Sequence, residues 1–303
     1  MLSAGPGQKP ISSSDRVTIV MITWNRRPDL LATLPRLLAL PERPPVIVVD
    51  NGSDDGTVDA VRGQFPNVTV VALEDNCGSA GRNVGAELAA TPYVAFSDDD
   101  SWWEPGALAR AADVLDAYPQ LGLLAATVLL GDDGPPDPTV ELMRRSPLPP
   151  EADHPGPPVL GFIACGSVVR RSGFLGVGGF SRLLGVGGEE WLLAVDLAGA
   201  GWDLAYVADV VAIHQPSAVR DSRSRQRRLA RNTLWSAWMR RPWPVVIATT
   251  LTTIRAAAFD CPTRDGLLEA IRGAPGVLRA RRPVSSGVEA RLRLLEVAPD
   301  TPP

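Results

Sequence analysis

Three adjacent carboxylates, Asp98, Asp99 and Asp100, stand in the stretch YVAFSDDDSWWEP at residues 93–105, directly behind an apolar, strand-like run. Like charges this close repel one another, so they require a cation or dense hydrogen bonding. Ligands that are all oxygen suit Mg2+ or Mn2+. A buried strand that ends in such a cluster sets it at the carboxyl edge of a sheet, where α/β proteins bind ligands. The chemistry expected is a divalent metal held between carboxylates and a diphosphate. The alternative is a solvated acidic turn with an Asp capping a following helix.

Two more polar stretches could take part. Asp50, at the tip of a strand, can accept a hydrogen bond from a nucleobase or ribose, and Gly52 and Gly56 in the loop behind it allow close approach to a ligand. A plain loop rich in Asp, Gly and Ser is the other reading. Residues 76–85, NCGSAGRNVG, form a glycine-rich loop entering a helix, whose free amides and Arg82 suit phosphate, although such loops also serve simply as turns.

The elements that position these residues follow from periodicity. Residues 17–23 (VTIVMIT) are a β-branched, apolar run expected as a central strand buried on both faces. Pro28 opens a helix through about Leu40. A strand over 46–49, a helix over 58–65 and a strand over 68–73 follow, which predicts a largely parallel sheet with right-handed crossovers.

Composition sets the limits. The 303 residues can bury a large core, and the 45% hydrophobic content is that of an ordinary globular chain. A net charge of −4 argues against nucleic acid as a partner. Cys77, Cys165 and Cys261 lie far apart and are odd in number, which reads as reduced thiols of a cytoplasmic protein. No signal peptide or apolar run long enough to span a bilayer is apparent. The Gly-, Pro- and Ser-rich residues 1–14 are expected to be a disordered leader.

In order and spacing, TWNR at 23–26, VVDNGSDDGT at 48–57, NCGSAGRNVG at 76–85 and AFSDDDSWWEP at 95–105 resemble the nucleotide-sugar-binding half of family 2 glycosyltransferases. The fold implied is α/β of the GT-A, Rossmann-like kind: a mostly parallel central sheet flanked by helices, with a C-terminal helical segment. The catalytic domain would span 15–235, with 15–105 as the nucleotide-sugar half and 106–235 as the acceptor half, and 236–303 would be a helical extension and tail. The resemblance places Thr23, Asn25 and Arg26 against the nucleotide, Asp50 on the uracil or another base with Ser53 near it, and Arg82 near the base or the diphosphate. Asp98 and Asp100 match the outer positions of the family's DxD element, with Asp99 between them and Asp100 as the direct ligand of Mn2+ or Mg2+.

The second half carries the resemblance further. A helix from residue 106 and a strand over 121–130 are expected, then a proline-dense, irregular stretch over 131–158, which would be either a mobile flap or an insertion. Residues 159–171 are apolar and β-like, and Ala164, Cys165 and Gly166 would line the acceptor side. In this family a Gly-Gly-Phe segment precedes an acidic pair at a helix start, and here that pair is Glu189-Glu190. An inverting transfer needs a base that takes the acceptor hydroxyl proton, a role that falls to Glu190. Both glutamates could instead merely favour a helix N-terminus. A strand over 204–213 ends at His214, which the resemblance makes a metal or diphosphate ligand and which could equally be structural.

Arginines crowd residues 220–231, suiting a diphosphate, an anionic acceptor or a membrane surface, with a solvated helix as the default. Residues 245–259 are a mostly apolar helix, too short to span a bilayer and expected to pack on the catalytic domain. The reading is therefore a metal-dependent, inverting hexosyl- or deoxyhexosyl-transferase. It would move sugar from a nucleotide-diphosphate sugar to a hydroxyl-bearing glycan, lipid-linked or natural-product acceptor. It would be cytoplasmic, with peripheral contact at the inner membrane face left open. The alternatives are a non-catalytic nucleotide-sugar-binding protein on the same fold, and a nucleotidyltransferase, for which TWNRRPD lacks the glycines of a triphosphate loop.

Overall fold

The computed structural model describes residues 16–149, 153–216 and 222–297. The leader expected at 1–14, Arg220 and the tail beyond Pro299 lie outside the described residues. Strand β1 (Val17–Thr23) is buried along nearly its whole length, as its unbroken apolar sequence requires. Helix α1 (Arg27–Leu38), β2 (Val46–Asp50), α2 (Thr57–Gln64), β3 (Thr69–Ala72), α3 (Gly81–Leu88) and β4 (Tyr93–Asp98) complete the first half. Then come β5 (Ser101–Trp103), α4 (Ala107–Ala117), β6 (Leu121–Leu130), α5 (Pro138–Arg144), β7 (Ser167–Arg170), α6 (Arg171–Gly176), α7 (Glu189–Gly199) and β8 (Asp203–His214). Helices α8 (Ser222–Arg240), α9 (Trp243–Ala257), α10 (Cys261–Arg279) and α11 (Ser286–Val297) close the described chain.

Among the described residues one eight-stranded sheet runs in the order β3-β2-β1-β4-β7-β6-β8-β5. Strands β3, β2, β1 and β4 are mutually parallel, whereas β7 is antiparallel to both its neighbours and β5 is antiparallel to β8. The sheet is therefore mostly parallel and flanked by helices, as expected. One face buries α1 and α4 through Leu30, Leu34, Leu37, Leu108 and Leu115. The other buries α3, α6 and α7, with Phe96, Phe174 and Phe180 meeting in tilted and edge-to-face contacts at centroid distances of 5.2–5.6 Å. A third cluster, including Leu192, Leu234, Trp235, Trp238 and Ala270, joins α7 to the C-terminal helices. The boundary drawn at 235/236 falls inside α8, which runs unbroken to Arg240.

Local structure differs from expectation in four places. The proline-dense residues 131–158 contain α5: Pro138 sits in its first turn, Asp137 caps it by accepting from the Thr139 amide, and Val140 and Met143 are buried. The stretch is thus regular at 138–144, because proline in a first turn starts a helix. Past the acidic cluster the chain forms neither a free turn nor a capped helix but β5, with Ser101 opposite His214. Only residues 167–170 of the apolar run 159–171 form a strand. Val159 makes a single backbone bond to Leu204 of β8, beside an isolated bridge of Pro158 with Ala205, and Leu160 and Phe162 are buried outside any strand, because an apolar run reports burial and not its partner. Finally, α9 packs chiefly on α8 and α10 and leaves one apolar face exposed, so it does not lie mainly on the sheet domain.

Close approach of α3 to the sheet depends on Gly85, where an added Cβ would stand 2.3 Å from Cγ1 of Val20. Overpacking a tight contact costs about 1–3 kcal/mol, whereas Gly→Ala inside a helix gains at most about 1 kcal/mol. Gly85→Ala is therefore expected to lower the urea midpoint, and a midpoint at or above that of the parent would show that Val20 yields.

Candidate active site

Parallel pairing brings the polar ends of three strands level. Thr23 stands opposite Asp50, and Ile22 opposite Asp98, so the ends of β1, β2 and β4 share one edge. Asp50 is 1% exposed. Its Oδ1 accepts from the Ser53 amide at 2.8 Å, and its Oδ2 is buried with no partner among the described residues. A buried carboxylate oxygen left unmatched is costly, and an external donor such as a base N–H would satisfy it. Asn25 takes a left-handed backbone (φ 52°), where Asn is better tolerated than most residues. Its amide donates to Ser53 Oγ at 2.8 Å, and its Oδ1 accepts from the Asp54 amide at 2.9 Å. Asn25 and Ser53 thus brace the loop around Asp50.

The acidic turn between β4 and β5 is fixed through its backbone. The Asp98 amide donates to Ser101 Oγ at 2.7 Å, Thr33 Oγ1 donates to the Asp99 carbonyl at 2.8 Å, and the Gln215 amide donates to the Asp100 carbonyl at 2.8 Å. Arginines from two different motifs meet its charge. Arg82, 3% exposed on α3, pairs with Asp98, while Arg26 reaches Asp99 at 3.2 Å and Asp100 at 3.0 Å. Burial opposes the charge on Arg26, but Asp29, Asp99 and Asp100 outweigh it and raise its pKa above the usual range. His214, at the end of β8, sets Nε2 3.3 Å from Asp100 Oδ1.

The three carboxyls are not equivalent. Desolvation, aided by the charges of Asp100 and Asp98, pushes Asp99 up to about 7 against the pull of Arg26 and the Thr23 hydroxyl. Burial acts to raise Asp100 too, but hydrogen bonds and charge from His214 and Arg26 prevail and hold it below the ordinary carboxylate range.

Ligand atoms of Asp98, Cys165 and His214 lie within 4.8 Å of one another, and Asp100 adjoins the same imidazole. Burial pushes the Cys165 thiol well up, so it stays protonated and is a poor ligand for a hard ion. Asp98, Asp100 and His214 form an oxygen-rich donor set that fits Mn2+ or Mg2+. The Nε of Arg82 is buried and unpartnered among the described residues, a free donor beside these carboxylates.

The adjacent glutamates at the start of α7 divide their roles. Glu189 is buried and accepts from Ser79 Oγ and from the Gly187 amide, which ties the glycine-rich loop to the helix start. Glu190 is partly exposed, with a carboxyl pushed up to about 8, first by desolvation and then by the charge of Glu189. Arg82 lowers it and Asp98 raises it, so Glu190 lies within electrostatic reach of the acidic cluster. The loop preceding the pair is held from α8. Asn232 Nδ2 donates to the carbonyls of Leu184 at 3.0 Å and Gly187 at 2.5 Å, and Arg231 Nη2 donates to that of Leu184 at 2.8 Å.

The structure therefore gathers Thr23, Arg26, Asp50, Arg82, Asp98, Asp99, Asp100 and His214 at one edge, with Glu190 close enough for Arg82 and Asp98 to shift its carboxyl. Asn25, Ser53 and Glu189 act as braces there. Arg231, one of the arginines crowding 220–231, holds the loop before the glutamates, and Ser79 and Asn232 join it in roles that the sequence does not mark. Ser79 lay inside a recognised motif, whereas nothing local marks Asn232, whose partners are 45–48 positions away.

This α/β fold gathers acidic and basic groups at the carboxyl edge of parallel strands, the place where such sheets bind ligands. The sequence profile described as "Glycosyl transferase family 2" matches residues 18–176, and the chain belongs to that family of glycosyltransferases. It is 28% identical over 240 residues to N-acetylglucosaminyl-diphospho-decaprenol L-rhamnosyltransferase of Mycobacterium tuberculosis, a match covering 66% of this chain and 76% of the relative. A mannosyltransferase of Pyrobaculum calidifontis, solved with GDP-Man and Mn2+, superposes with a TM-score of 0.54 at 20% identity, covering 98% of this chain and 80% of that one. S. aureus TarS in complex with UDP-GlcNAc superposes with a TM-score of 0.53 at 18% identity, covering 73% of this chain and 66% of that one. These similarities establish the GT-A fold.

The raised carboxyls have a stability consequence. Glu190, moved from 4.5 to about 8, binds its proton more tightly when folded, so its contribution is intact below about pH 4.5 and is lost as pH rises to about 8. Asp99 acts in the same sense from 3.8 to about 7. Between about pH 7 and 8, where Asp99 is already half titrated, Glu190 supplies the larger share of the remaining decline. Glu190→Gln should flatten chemical-denaturation stability over that interval, and an unchanged slope would refute the assigned shift.

Proposed function

We propose that the chain is an inverting, metal-assisted glycosyltransferase using a nucleotide-diphosphate sugar, with Glu190 as the general base. The observation that carries this is the convergence of Glu190 with the Asp98–Arg82 pair, whose members lie 92 and 108 positions before it in sequence, at the edge that also holds a buried, unmatched oxygen of Asp50. Asp50 Oδ2 accepts from the base, while Thr23 and Arg26 line the same side. A bound divalent ion, held by Asp98, Asp100 and His214, would supply positive charge to the diphosphate leaving group. Arg82 and Arg26, relieved of part of their carboxylate pairing, are free to turn donors to phosphate oxygens. Glu190 takes the acceptor hydroxyl proton as that oxygen bonds to the anomeric carbon. The bond from that carbon to the diphosphate oxygen breaks, and its electron pair leaves with the nucleotide.

A carboxyl raised to about 8 is a strong base once deprotonated, so turnover should rise with pH toward that value. The name of the mycobacterial relative, an N-acetylglucosaminyl-diphospho-decaprenol L-rhamnosyltransferase, supports a sugar on a lipid diphosphate as the acceptor class. The division proposed is a catalytic unit from residue 15 and a C-terminal helical extension that share the continuous helix α8, and three unpaired cysteines are in keeping with a reducing cytoplasm.

Glu190→Gln should bind donor as the parent does while transfer falls about 10²- to 10⁴-fold, the usual share of general-base catalysis. Glu189→Gln should leave more activity. Full activity in both, in an assay with a polyprenyl-diphosphate sugar, would favour a helix-capping role and remove the proposed base. In calorimetry, Asp50→Ala should weaken nucleotide binding by about 1.5–3 kcal/mol while retaining its Mn2+ dependence, whereas Asp100→Ala should abolish that dependence. The reverse pattern would exchange their assignments. A chain that binds donor but transfers to no acceptor in this assay would be a binding module.

A further inference from the structure

Helices α9 and α10 expose more large apolar surface than a free, solvated face requires. Trp243, Ile247, Leu251 and Ile254 recur at helical spacing along α9 and are 56%, 57%, 48% and 48% exposed. Phe259, just past its end, is 94% exposed. On α10, Leu268, Ile271 and Leu278 are 45%, 56% and 45% exposed. Both helices use other residues for packing, among them Val246, Ala257, Ala270 and Val277, so the stripes lie where α8 does not cover them.

Charge on this pair of helices is sorted by side. From Trp243 to Arg279 the carboxylates are Asp260, Asp265 and Glu269. Asp260 caps α10 and accepts from Gln226; Asp265 pairs with Arg223, and Glu269 pairs with Arg227 and Arg231, all on α8. Arg255, Arg264, Arg272 and Arg279 are exposed and make no ion pair among the described residues. The outward surface is therefore apolar and cationic, with its acids spent on α8.

We propose that the α9–α10 face docks on an anionic lipid bilayer, lying in the interface with the apolar stripes among the acyl chains and the arginines at the headgroups. Amphipathic helices with Trp, Phe and Leu beside basic residues bind membranes in this way, and the arginines gain from anionic headgroups. Trp243 suits the interfacial level, where aromatic rings concentrate. Among the described residues no helix is long and apolar enough to cross a membrane, so this pair would lie on the bilayer and not span it. A second copy meeting this face with its own would set arginine against arginine with no acid between. The proposal stands independently of the acceptor class proposed above.

The test is co-flotation of the full chain with vesicles of phosphatidylcholine, with and without one part in three of phosphatidylglycerol. Binding is expected to the anionic vesicles and to weaken with salt as the charges are screened. The Ile247→Ser/Leu251→Ser and Arg272→Gln/Arg279→Gln pairs should each lower the partition coefficient by about tenfold or more, because apolar burial and headgroup charge contribute separately. All these side chains are exposed, so the variants should melt with the parent and bind nucleotide donor normally. Bromine on the acyl chains should quench fluorescence in the parent, and less in Trp243→Phe. Failure of the folded parent to float, or variants that bind as it does, would overturn the proposal. So would self-association that the same substitutions abolish, since the occupant would then be another protein surface.

Discussion

The site is governed by the repulsion among three consecutive carboxylates held at one sheet edge. Without cations around it, the turn from Asp98 to Asp100 would not tolerate the burial it has, because buried like charges either pair or lose their ionisation. Arg82 comes from α3 and Arg26 from the loop after β1, so neutralising the cluster draws two otherwise separate motifs together. Asp99 shows how incomplete that neutralisation is, with a carboxyl raised to about 7. Residual negative charge, with an imidazole alongside, is what a divalent ion and a diphosphate would complete.

Identical neighbours at the head of α7 behave differently because one is saturated with hydrogen bonds and the other is not. Glu189 spends both oxygens on Ser79 and Gly187, so it is committed to holding the loop. Glu190 receives only a local backbone amide, and it carries the desolvation and repulsion that raise its pKa, a condition that suits proton transfer better than structure. Its placement is supported from a distance. Arg231 and Asn232 of α8 hold the loop at 184–187, and Arg240 pairs with Asp196 of α7. The C-terminal helices are thus a brace for the site on one side while presenting an apolar, cationic surface on the other.

Much of the fold was legible because local patterns and the global sheet agree. The β-branched run of β1, the alternation of strands and helices to β4, and the polar tip after each strand all require a parallel sheet whose ligands gather at one edge. Where two structures share one local signal, the sequence left the matter open. Pro138 can stop or start a helix, and only Asp137 in place as a cap and a buried face for Val140 and Met143 make it a start. The apolar residues 159–171 signal burial equally well as strand or as packed loop, and Ser101 to Trp103 become β5 only because β8 arrives beside them.

The amino-acid sequence by itself determined the residue types at the site, the strand ends that carry them and the family to which the chain belongs, because these depend on periodicity and on motifs within about ninety residues. Tertiary structure decided which charges meet. Arg26 could have faced a ligand alone, yet it pairs with Asp99 and Asp100. Cys165 enters the cluster from the short turn before β7, and Asn232 reaches the loop before Glu189 across 45 positions. It also decided that α9 leaves its apolar stripe uncovered. The reason is physical: hydrogen bonds, ion pairs and desolvation act over a few ångströms in space, and no pattern along the chain states which distant segments will be brought that close.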